Sequence, residues 1–162
     1  MTDSADNPKP RLGRDVYIAL AAVGWADGQL DSEEADAIVR TALDEGLDLD
    51  EIAEIEEATK QPVDLGVIDR RGMSKEDRLF VYGVALWLAR LDGKVTAEEQ
   101  TALANLGEAL RVPEAPRRSV ELIVRQVTQL SEDDRPARYD LAALRRIIAE
   151  RLKLAEEKKQ NA

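Results

Sequence analysis

The sequence predicts an all-α fold, a compact bundle of about seven or eight helices, from two features of its pattern. Apolar residues recur at three- and four-residue spacing along most of the chain, whereas β-branched and aromatic residues nowhere alternate with polar ones as a half-buried strand requires. Residues that end one helix and start the next also punctuate the chain at regular intervals. At 162 residues, 44% hydrophobic and 35% charged, the chain can bury one core without disulfides or a structural metal.

The elements follow in order. Residues 1–11 are expected to be a disordered polar tail, with no basic start, apolar middle or small-residue cleavage site of a secretory signal. A first helix is expected from Leu12 to Ala26, burying Val16, Tyr17, Leu20 and Val23 and stopping at Gly28. A second starts near Ser32, with Ala35, Ile38, Val39, Ala42 and Leu43 as its stripe and Gly46 as its stop. A short acidic third follows Asp48 or Asp50 and buries Ile52 and Ile55. Pro62 interrupts, "VDLGVIDRRG" reads as a brief helix closed by Gly72, and Ser74 with Asp77 caps a long central helix ending near Leu91. That helix is apolar on several faces and is expected at the centre of the fold. A sixth runs from Ala97 to Leu110, and Pro113 and Pro116 open a seventh carrying Val120, Ile123, Val124 and Val127. The domain spans residues 12–130, and residues 131–162 add a linker, "SEDDRPARYD", and a terminal amphipathic helix. The stripe of that helix, Leu141, Leu144, Ile148, Leu152 and Ala155, suits packing on the same domain, with docking on a partner as the alternative.

Composition removes whole classes of function. The chain has neither cysteine nor histidine, so thiolate nucleophiles, zinc or iron–sulfur ligation and imidazole acid–base chemistry are absent. Nor does it show a nucleophile with a partnered base or a glycine-rich phosphate loop, and no enzymatic activity is expected. A net charge of -10 without a basic stripe argues against nucleic acid. No apolar run is long enough to cross a bilayer, and a cytoplasmic protein is expected. Between Asp27 and Glu57 about a dozen acidic residues face the lone Arg40, so a cation or basic partner should meet the N-terminal half first.

One acidic turn occurs twice. "ADGQLDSEE" at 26–34 returns as "LDGKVTAEE" at 91–99, and an offset of about 65 residues also aligns Val16 with Val81, Tyr17 with Tyr82, and Ile38 with Leu103. Much of the motif is helix termination. Gly28 and Gly93 suit the end of one helix, Asp31 and Thr96 the N-cap of the next, and Glu34 and Glu99 the position that reaches back to the cap. Glu33 and Glu98 are expected to face water. Asp27 and Asp92 fit less well, because a carboxylate in the last helical turn meets the negative end of the helix dipole, at a cost of about 0.3–1 kcal/mol. An Asx turn would account for them, and so would a cation.

The spacing from Asp27 to Glu34 matches the second half of an EF-hand loop, but Val23 and Trp25, and in the second copy Leu88 and Arg90, stand where two further oxygen ligands would be. A weaker site could draw on Asp27, Asp31 and Glu34, on Asp92, Thr96 and Glu99, or on both copies together if the turns approach. Arg90, near Asp92, could form a salt bridge in place of a metal, which makes the first copy the better candidate. Trp25 and Trp87 read as packing residues.

The two acidic turns, each between apolar helices, resemble those of the TerB-like, tellurite-resistance-associated family, over roughly residues 12–127. The resemblance implies a helical bundle with an internal duplication and a stress-linked accessory role, with Asp27, Gly28, Glu34, Asp92, Gly93 and Glu99 as the characteristic positions. It also implies a divalent cation, calcium, magnesium or manganese, and a separate protein partner through which any membrane association would be peripheral. The alternative is a metal-independent helical adaptor whose acidic turns are only caps.

Overall fold

The computed structural model describes residues 13–26, 30–91 and 95–160. Among them the chain forms seven α-helices and no strand: α1 (Arg14–Ala26), α2 (Ser32–Asp44), α3 (Leu49–Lys60), α4 (Lys75–Leu91), α5 (Ala97–Ala109), α6 (Glu114–Thr128) and α7 (Leu141–Gln160). The all-α expectation is met. The expected tail and residues Asp27, Gly28, Asp92 and Gly93 lie outside the described residues.

Side-chain caps set most helix starts. Asp48 and Glu51 form a reciprocal capping box at α3, and Ser74 and Asp77 exchange the same two bonds ahead of α4. Pro113 opens α6 with no side-chain cap, its fixed φ serving the start. The brief helix expected within "VDLGVIDRRG" is instead two 3-10 turns, Leu65–Val67 and Arg70–Gly72. The cause is local: Asp64 accepts the Gly66 N–H at 2.6 Å and Asp69 accepts the Arg71 N–H at 3.1 Å, side-chain bonds that compete with a continuing α-helix.

The duplication is larger than the helix-turn-helix motif. At the end of α2, Gly46 takes φ 85° while its N–H bonds to the Leu43 carbonyl and that of Leu47 to Ala42, which is a Schellman closure. At the end of α5, Arg111 takes φ 54°, with its N–H on Glu108 and that of Val112 on Gly107. The same offset then aligns Asp48 with Pro113, the residues preceding α3 and α6, and Ile55 with Val120, both fully buried. The repeating unit is therefore three helices, α1–α2–α3 and α4–α5–α6, and in each the first helix packs against the third.

The two first helices meet in the middle. α1 buries Val16, Tyr17, Leu20 and three alanines that permit close approach, and α4 is buried almost all round from Leu79 to Trp87. α7 covers α4, α6 and α2 of its own chain. Its Leu141, Leu144 and Ile148 join the single core, each contributing about 1.5–3 kcal/mol by burial, while Leu154 farther along is exposed. Gly83 of α4 makes room for this packing, since a Cβ there would stand 2.9 Å from Ile148 and 3.3 Å from Val120.

Candidate functional site

The site is built where the two repeats face each other. α1 ends at Ala26 beside the start of α2, α4 ends at Leu91 before the start of α5, and the four helices leave between them a cavity of about 240 Å³. Asp31 and Glu34 line it from the first repeat and Glu99 from the second, over an apolar floor that includes Leu88 and Leu103. Its volume is below the roughly 300–1,000 Å³ of pockets that hold drug-sized ligands, and fits an ion with part of its water shell.

Glu34 and Glu99 hold equivalent, half-buried positions, yet they are used differently. Thr96 and Glu99 form a complete capping box: the Glu99 N–H donates to Thr96 Oγ1 at 3.1 Å, and the Thr96 N–H donates to Glu99 Oε1 at 3.1 Å. Thr96 itself is exposed at the cap and does not line the cavity. In the first repeat Asp31 accepts the N–H of Glu33, at 2.8 Å, rather than that of Glu34. The expected reach of Glu34 back to its cap is thus replaced by a position against α1, where a Cβ on Gly24 would meet its Oε1 at 3.4 Å. Glu33 and Glu98 are exposed, as expected.

Two residues of the linker complete the cavity. The segment 131–140 lies against the domain because Trp87, wholly buried in α4, donates its indole N–H to the Arg138 carbonyl at 2.9 Å. Arg138 and Tyr139 then line the cavity together with the carboxylates. The guanidinium of Arg138 stands 6.0 Å from the centre of the Tyr139 ring. Burial pushes the Tyr139 hydroxyl pKa up, and the negative charges of Asp31 and Glu34 push it further, with Arg138 opposing. That ordering of causes places the phenol in the field of the first acidic turn.

The structure thus brings together three of the six expected ligands, Asp31, Glu34 and Glu99, leaves Thr96 at its cap, and leaves Asp27 and Asp92 outside the described residues. Among the described residues no three carboxylates gather in metal-holding geometry. A hard cation here would take a few protein oxygens and fill its shell with water. Sequence reasoning missed Gly24, Arg138 and Tyr139. A lone glycine inside an apolar helix and a tyrosine in an otherwise polar linker were the available signals. Trp25 also serves packing, its indole N–H donating to the Ala58 carbonyl at 2.8 Å.

Arg90, considered as a rival to a metal, lines a different groove on another face of α4, with Tyr82, Leu86 and Arg117. There the Tyr82 hydroxyl donates to Glu121 at 3.0 Å, and burial with that bond pushes its pKa up to about 12.

Among the described residues no helix is long and apolar enough to cross a membrane. No curated protein and no solved structure matches the chain. A family model described as "Protein of unknown function (DUF533)" matches residues 5–124, which takes in both acidic turns and leaves Arg138, Tyr139 and α7 beyond the match. Because that match covers most of the chain and both repeats, the chain belongs to the DUF533 family.

Proposed function

We propose that this chain is a TerB-like, non-enzymatic, stress-associated module of the cytoplasm that binds a divalent cation weakly and mediates protein interactions. The observation that carries the cation reading is the single cavity lined by Glu34 and Glu99, equivalent residues of two separate repeats, together with Asp31. Oxygen ligands of this kind suit calcium, magnesium or manganese, and a partly assembled shell accounts for weak affinity. Glu34 and Glu99 are the carboxylates that would bridge the two repeats, Glu99 while also serving its capping box.

An NMR titration of the metal-free protein with calcium, magnesium and manganese tests this. Amide shifts at residues 30–34 and 96–99 together are expected at millimolar metal. Glu34→Gln should abolish them in both repeats, because the site is shared. The second reading is a metal-independent adaptor, favoured by the full satisfaction of the Thr96–Glu99 box without a cation. It takes over if neither turn responds.

A further inference from the structure

We infer that the groove between α4, α5 and α6 docks an acidic amphipathic segment of a partner protein. This gives a surface to the protein-interaction half of the reading above, and is independent of whether the cavity binds a cation. The groove, about 390 Å³, collects Arg90 from α4 and Arg117, Arg118 and Arg125 from α6, against two glutamates, in a chain whose net charge is -10. Both glutamates are engaged: Glu114 pairs with Arg118 at 3.3 Å, and Glu121 accepts the Tyr82 hydroxyl. Arg117 is held by its own helix entry, its Nε donating to the Val112 carbonyl at 2.7 Å while its guanidinium lies against Gly107. Among the described residues Arg90 and Arg125 form no ion pair with a carboxylate, and both line the groove.

Most of the remaining lining is apolar, with Gln100 and the Tyr82 hydroxyl as its polar groups. Leu86 and Leu103 form part of its floor. Beside this lining on α6, Leu122 follows Arg118 by four residues and precedes Arg125 by three, and is 54% exposed. An aliphatic floor bordered by guanidinium groups fits a segment that offers leucine-like side chains on one face and carboxylates beside them, with arginine giving the orienting bonds. Charge complementarity selects the acidic occupant: four arginines against two glutamates line the groove, in a chain whose net charge is -10.

The test uses fluorescence anisotropy of the full chain in EDTA with a fluorescein-labelled peptide of Glu-Glu-Leu-Leu repeats, beside a Gln-Gln-Leu-Leu peptide. The acidic peptide should bind at least tenfold more tightly than the neutral one, and added salt should weaken it. The double variant Arg90→Gln/Arg125→Gln, which breaks no side-chain bond among the described residues, should lose that advantage, whereas Arg40→Gln on α2 should keep it. Equal affinity for both peptides, or equal loss in the Arg40 variant, overturns the inference. So does sedimentation showing that the groove arginines drive self-association, which would assign the groove to a second copy of this chain. The use of EDTA keeps the outcome separate from that of the metal titration.

Discussion

Trp87 and Arg138, at positions far apart in the chain, are joined by one hydrogen bond of 2.9 Å between a buried indole N–H and a backbone carbonyl. The bond fixes a segment of polar sequence over the cavity between the two repeats. Replacing Trp87 by Phe keeps an aromatic ring but leaves the carbonyl unsatisfied and some core volume empty, at about 1–3 kcal/mol in total. Hydrogen exchange read by mass spectrometry should then quicken over residues 135–140 well before the core helices open. Unchanged exchange there would mean that Leu141 and Leu144, not the indole, hold the segment.

Arg138 brings a fixed positive charge to the edge of the carboxylate cavity. If a divalent cation enters that cavity, Arg138 opposes it, and Arg138→Gln should raise the apparent affinity for calcium by roughly three- to tenfold at low salt. The same NMR titration measures it, and an affinity that falls would show instead that the guanidinium holds the carboxylates in place.

Arg111 sits in the left-handed region where its counterpart Gly46 sits. A side chain there costs about 1–2 kcal/mol, part of which is offset because glycine is more flexible in the unfolded chain. Arg111→Gly should therefore stabilise the protein by about 0.5–1 kcal/mol in urea unfolding, and Gly46→Ala should destabilise it by about 1 kcal/mol.

Tyr82 has a folded-state pKa of about 12, above the ordinary tyrosine value near 10. Because the folded state favours the protonated phenol, its contribution is complete below about pH 10 and is lost as pH rises through about 12. The ring is buried but the hydroxyl opens on the arginine groove, so solvent limits the effect to about 1–2 kcal/mol. Tyr82→Phe should flatten the fall in stability between those pH values, as followed by urea unfolding at a series of alkaline pH values.

How much of this was legible in the sequence depended on how local the cause was. Ser74 with Asp77, and Thr96 with Glu99, exchange bonds within one helical turn, and their spacing alone announced them. Gly46 was readable as a helix stop, whereas Arg111 was not, because nothing in an arginine advertises positive φ. The third helix of the repeat stayed hidden for a related reason. Asp48 aligns with Pro113 and the buried Ile52 with the half-buried, groove-lining Arg117, so the pattern changes although the backbone role does not. The docking of Arg138 and Tyr139 was out of reach, since it depends on a carbonyl, which every residue possesses, meeting one particular indole. The two short turns after Pro62 were misread as one helix because Asp64 and Asp69 stop it with side-chain bonds to the following turn.

Carrying both repeats on one polypeptide has a consequence that a pair of identical subunits would not share. In a symmetric dimer every change on one side of a common cavity is imposed on the other, so both glutamates would have to serve the same purpose. Here Thr96 takes the place that Asp31 has in the other repeat, Ala89 that of Gly24, and only one of the two glutamates is tied into its helix cap. The tandem arrangement lets the two halves of one cavity differ residue by residue, a division of labour inside a single fold.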